Sequence, residues 1–258
     1  MKTVATQTLA AWLDEQLRVE QFKDYCPNGL QVEGKAQIGR IVTGVTASQD
    51  LLQTAVDRDA DAVIVHHGWF WKNEDPRVKG AKKKRLQLAL EHDLSIFGFH
   101  LPLDAHPEWG NNAQLARVLG LTPLRNSEGE PVTCGPDSLI WLGAGPDGQT
   151  LEALGDRIAR SLGRTPLVIG DLQQQPRKIA WCSGGAQGYM EAAIAAGADV
   201  YITGEASEPN YHLAREAGVS FIAAGHHATE RYGIKTLGEA IAKTFGIQVD
   251  FVDLDNPI

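Results

Sequence analysis

The residues best suited to chemistry are histidines and acids at the ends of short apolar runs. Ala62-Val63-Ile64-Val65 leads directly into His66, His67 and Gly68. Four small or branched apolar residues suit a strand buried on both faces of a parallel α/β sheet. Functional groups in such sheets collect beyond the carboxyl ends of the strands. Two imidazoles there can hold a metal, although the pair by itself also fits a helix cap or a surface site. Two further histidines are each followed four residues later by an acid: His100 by Asp104, and His226 by Glu230. Mixed nitrogen and oxygen donors suit zinc, iron, manganese, cobalt or nickel rather than a calcium cage. Two carboxylates and at least three histidines suffice for two ions about 3.5–4 Å apart, one carboxylate bridging.

The elements that must position these residues follow from periodicity and turn signals. Leu9, Trp12, Leu13 and Leu17 fall on one helical face, with Thr6 or Thr8 as N-cap. Ile38 to Val45 reads as a strand, Ser48 caps the next helix, and the strand into His66-His67 completes a right-handed βαβ unit. Lys82-Lys83-Lys84-Arg85 opens another helix against its macrodipole, as a solvated face or as a patch for an anionic substrate or nucleic acid. Leu94 to Phe99 is a strand ending at His100, and Asn111 to Leu119 is a helix stopped by Gly120. Leu151, Leu154, Ile158 and Leu162 make an amphipathic helix ended by Gly163. The last helix is expected from about Gly233 to Phe245.

An internal repeat ties these pieces together. Arg40 to His67 aligns without gaps on Lys178 to Glu205 at an offset of 138 residues, with six identities in 28 positions. About two are expected from ordinary residue usage. Further on, Leu94-Ser95-Ile96 parallels Val219-Ser220-Phe221, and each copy reaches its His-x-x-x-acid segment. The expected architecture is α/β, two similar interleaved lobes from an internal duplication. One lobe takes residues 1–125 with 215–258 and the other 126–214. Facing halves would gather His66, His67, His100, Asp104, His226 and Glu230 in the cleft between them, with Glu205 nearby.

Bulk properties narrow the choices. At 258 residues, 43% hydrophobic and 22% charged, the chain is an ordinary globular protein. Its net charge of −8 argues against nucleic acid as a partner. Cys26, Cys134 and Cys182 are widely spaced and form no C-x-x-C, which suggests reduced thiols in the cytoplasm. No signal-peptide core or membrane-length apolar run is seen. The deaminase signature and the G-x-S-x-G elbow are missing too. Trp69-Phe70-Trp71 suits a core or a subunit interface, or the stacking of a base. Ser183-Gly184-Gly185-Ala186 reads as a tight strand-to-helix turn rather than an anion nest.

Several segments resemble the GTP cyclohydrolase I type 2 homolog family, also called the Ngg-interacting-factor-like family. They are Asn28-Gly29-Leu30-Gln31-Val32, Val65-His66-His67-Gly68, His100-x-x-x-Asp104, Tyr201-Ile202-Thr203-Gly204-Glu205, and Gly225-His226-His227-Ala228-Thr229-Glu230. The resemblance implies a two-lobed α/β fold, two divalent metal ions per subunit and a toroidal homohexamer. It implies His66, His67, Asp104, His226 and Glu230 as metal ligands, with His100 close to the metals as a proton carrier or substrate contact. It further implies a small-molecule substrate, nucleotide-like or otherwise, and a metal-dependent hydrolase or cyclohydrolase. The alternative is a non-catalytic metal-binding ring acting as a metal carrier or a protein or DNA adaptor. Roles for Glu205 and His212 are left open. The chain departs from the family pattern at Tyr25-Cys26-Pro27, and no site role is assigned to that first turn.

Overall fold

The structure is a computed structural model and describes residues 2–258. They form two compact units. The first runs to Leu103 and takes in Gly233–Asp255; the second is Asp104–Tyr232 with Asn256–Ile258.

In the first unit a five-stranded sheet has the order Gln248–Phe251, Arg40–Thr46, Ala62–His67, Ser95–Gly98, Gly29–Val32. The first four strands are parallel and the last is antiparallel. The strand Ala62–His67 is central, so Val63, Ile64 and Val65 are fully buried, as their apolar run requires. The helix Gln49–Asp57 begins where Ser48 Oγ accepts from the Leu51 amide, and it packs Leu51, Leu52 and Ala55 onto the sheet.

In the second unit the strand order is Leu167–Ile169, Ser220–Ala223, Val200–Thr203, Lys178–Trp181, Ile140–Ala144, Thr122–Pro123, and Thr133–Cys134 also pairs with Ile140–Ala144. The strands at Lys178, Val200 and Ser220 are parallel. Trp181, Ile202 and Ile222 pack with Leu151, Leu154, Ile158 and Leu162 from the helix Leu151–Leu162, which Gly163 ends in the left-handed conformation.

The sequence offset recurs as matching hydrogen bonds in the two units. Ile41 pairs with Ala62, and Ile179 with Val200, each 138 residues on. The Asp61 carboxylate accepts the amides of Gly39 and Arg40; that of Asp199 accepts those of Arg177 and Lys178. Ala62 pairs with Ser95 as Val200 pairs with Ser220.

Three expectations change. The units divide after Leu103 and after Tyr232, rather than after 125 and after 214. The reason is packing: Leu115, Ala116 and Leu119 sit in the core around Trp181, and Ser220–Ala223 is an inner strand of the second sheet. Neither Thr6 nor Thr8 caps the first helix; it starts at Thr6 after Ala5, and Thr6 Oγ1 donates to the Lys35 carbonyl. The last helix starts at His226, not near Gly233, because Gly225, at φ 104°, already makes the turn. His226 and Glu230 therefore lie one turn apart on a helical face.

Candidate metal centre

In the first unit, His66 and His67 occupy the last two positions of their strand. His66 is fully buried, and its Nδ1 donates to the Phe99 carbonyl at 2.9 Å. His67 Nδ1 lies 3.2 Å from Thr46 Oγ1. His100 follows the strand Ser95–Gly98, and its Nδ1 lies 2.7 Å from Asp24 Oδ1. The ring centroids of His66 and His67 are 4.4 Å apart, and those of His66 and His100 5.2 Å. The donor atoms of all three lie within 4.8 Å of one another. Anchoring Nδ1 to oxygen sets the ring tautomer and orientation and leaves Nε2 to face a cation, as histidines that ligate metals commonly do. The donor set thus fits a divalent metal.

Asp24 is the residue that sequence reasoning passed over. Its carboxylate accepts from the Leu101 amide at 2.8 Å and from Asn28 Nδ2 at 2.9 Å, while Asn28 Oδ1 accepts from the His100 amide. Burial works to raise its pKa, but His100, Asn28 and Leu101 outweigh that and hold it below the usual carboxylate value. The Asp24-x-x-x-Asn28 spacing at a turn was the available signal. Gln31 fills the space over Gly68 and Gly98, where a Cβ would come within 2.3 Å and 2.8 Å of its amide. Trp69 is core, with Nε1 donating to the Ala47 carbonyl; Trp71 stands edge-on to His100 at 5.0 Å. Burial, then the Asp24 charge, pushes the Cys26 thiol to about 12, so it is not a reactive thiolate.

The second unit carries the acids. Asp104 and Glu230 are buried, with 6% and 3% exposure. Asp104 Oδ1 accepts from Asn111 Nδ2 at 2.8 Å and Ser183 Oγ at 3.2 Å. His226 Nε2 is 3.1 Å from Glu230 Oε2, and its Nδ1 is 2.6 Å from Glu205 Oε1. Glu205 therefore anchors His226 as Asp24 anchors His100. Burial disfavours the imidazolium, but Glu230 and then Glu205 overcome this and raise its pKa to about 9. Burial, then the charges of Asp104 and Glu230, push the Cys182 thiol well up.

Ser183-Gly184 is the turn that touches both acids, so it is no anion nest. A Cβ on Gly184, whose φ is +66°, would fall 1.9 Å from Glu230 Oε1. Gly184→Ala should therefore lower both the melting temperature and the metal content. Loss of stability with full metal content would mean that Glu230 is not a ligand. His212 lies elsewhere, in an exposed pair with Glu208. Lys82 pairs with Glu74 and sits 5.4 Å from the Phe70 ring centroid, which spends part of the basic run on local contacts.

The chain is a mixed α/β protein whose clustered imidazoles and buried carboxylates could hold a metal ion. Residues 4–257 match the Duf34/NIF3 (NGG1p interacting factor 3) family model, and the chain belongs to that family. It is 52% identical over 254 residues to a GTP cyclohydrolase 1 type 2 homolog of Pseudomonas aeruginosa, covering 98% of this chain and 99% of that one. It is 50% identical to its namesake in Yersinia pestis, over the full length of both. The solved structure of protein ybgI, described as of unknown function, has a TM-score of 0.92 at 46% identity, covering 99% of this chain and 100% of its own. TTHA1606 of Thermus thermophilus has a TM-score of 0.83 at 32% identity, with the same coverage. Among the described residues, no helix is long and apolar enough to cross a membrane.

Proposed function

We propose that the protein is a metal-dependent hydrolase or cyclohydrolase acting on a nucleotide-like or other small substrate. The candidate ligands for two divalent cations, of zinc, iron, manganese, cobalt or nickel, are His66 and His67 of one unit and Asp104, His226 and Glu230 of the other. The observation that carries this reading is the anchoring of each imidazole through Nδ1, three in one unit and, in the other, His226 held by Glu205 and facing the buried Glu230. Paired cations supply a polarised bond and an acidified water. His100, held at Nδ1 by Asp24, would take up and return a proton at Nε2. The nucleotide preference draws on the name of the curated relatives. In the same reading the chain works in the cytoplasm as a toroidal homohexamer.

The test is elemental analysis of protein purified without chelator, paired with turnover of GTP, phosphoester and cyclic amidine substrates. Two ions per chain and metal-dependent turnover are expected. Fewer than one ion per chain would refute the centre. Two ions in a protein inert to every substrate would favour a metal carrier or adaptor, which uses the same donors.

A further inference from the structure

We infer that the cavity beside Glu205 holds the anionic group of a small substrate, a phosphate or carboxylate, gripped by Arg164. The inference rests on the hydrolase reading and narrows its substrate class. The helix Leu151–Leu162 ends at Gly163, and the chain passes through Arg164-Thr165-Pro166 to the edge strand Leu167–Ile169. Arg164, Gly204, Glu205 and Ala206 line a cavity of about 580 Å³, within the range of small-molecule sites.

The guanidinium lies against the backbone of Gly225. A Cβ there would fall 2.2 Å from Arg164 Nη1 and 2.8 Å from Cζ, at a φ of +104°. The next residue is His226. Gly204 is equally constrained, since its Cβ would meet the His226 amide at 2.9 Å. Gly225 thus seats the guanidinium against bare backbone one residue before His226, and Gly204 keeps room for the His226 backbone.

Arg164 lacks an acceptor. It makes no ion pair or hydrogen bond among the described residues, and its Nη1 is buried without a partner. Arg164 is half-buried, and a buried N–H of its guanidinium without an acceptor is costly. Glu205 shares the cavity but is committed elsewhere, with Oε1 at His226 Nδ1 and Oε2 accepting from Gln187 Nε2. The unmet requirement is an oxyanion from outside the chain, which a planar fork of donors suits. Leu167, Ala223 and Pro257 add apolar wall for a short carbon body.

The experiment titrates inorganic phosphate, and separately acetate, into metal-loaded protein and its Arg164→Gln and Arg164→Lys variants, with metal content measured on each. Binding should weaken roughly tenfold or more in Arg164→Gln, and less in Arg164→Lys, at unchanged metal content. The tighter anion in the wild-type protein identifies the substrate group. If Arg164→Gln does not fold, protection of Arg164 from phenylglyoxal by phosphate, read by peptide mass, decides in its place. Equal binding by wild type and Arg164→Gln, no binding of either anion, or no protection overturns the inference. Two ions per chain with none of this anion dependence would sink the anion site alone. Arg164-dependent binding in protein with less than one ion would sink the metal reading alone.

Discussion

Asp104→Asn should yield a folded protein that has lost its metal. The carbonyl of asparagine can keep the bonds from Asn111 Nδ2 and Ser183 Oγ, so the local framework is retained. Only the negative charge goes. That charge is buried, and it and Glu230 both act on the buried thiol of Cys182. Buried like charges are costly without a cation between them. The metal-free melting temperature should therefore stay level or rise. Metal affinity should fall beyond the roughly 10–100-fold that loss of an outer-shell partner causes, and turnover with it. Elemental analysis after dialysis, with thermal melts in chelator, separates the two effects. A variant that keeps both ions would remove Asp104 from the ligand set.

The second large effect is a pH dependence that metal should abolish. In the metal-free protein His226 titrates at about 9 instead of its ordinary 6.5, since Glu230 and Glu205 outweigh the burial that opposes its charge. The folded state holds this proton more tightly than the unfolded chain. The stabilisation is therefore complete below 6.5 and is lost as the pH rises through 9. A shift of this size on a side chain 27% exposed corresponds to something on the order of 3 kcal/mol. In the metal-bound reading a cation would take the place of the proton. Metal uptake below pH 9 should then release a proton, and the loaded protein should not show this alkaline loss. Melting curves from about pH 6 to about pH 10, with and without chelator, test the first part. Calorimetry in buffers of different ionisation heat tests the second. Identical profiles with and without chelator would show that His226 binds no metal.

The centre of each sheet was legible in the sequence because burial on both faces leaves a continuous apolar run, as in Val63-Ile64-Val65. The Asn111–Leu119 and Leu151–Leu162 helices were legible to the residue because Gly120 and Gly163 supply left-handed stops at their ends. The 138-residue offset showed through because paired parallel strands need the same register and the same Asp at the turn, Asp61 and Asp199. Asp24 was not legible. The Asp24-x-x-x-Asn28 spacing marks a turn, but the partner that gives Asp24 its role, His100, is 76 residues away, and no local pattern encodes a bond over that span. Arg164 was missed for the same reason, since its setting depends on Gly225, far along the chain.

By itself the sequence determined the strand and helix periods, the histidines and acids at their ends, and the 138-residue offset between two of its segments. Those properties are local or periodic, and a chain displays them without folding. Tertiary structure decided where the units divide, where the last helix begins, and which oxygen anchors each imidazole. Those choices are made by packing and by hydrogen bonds between residues distant in sequence, such as Asp24 with His100 and Glu205 with His226.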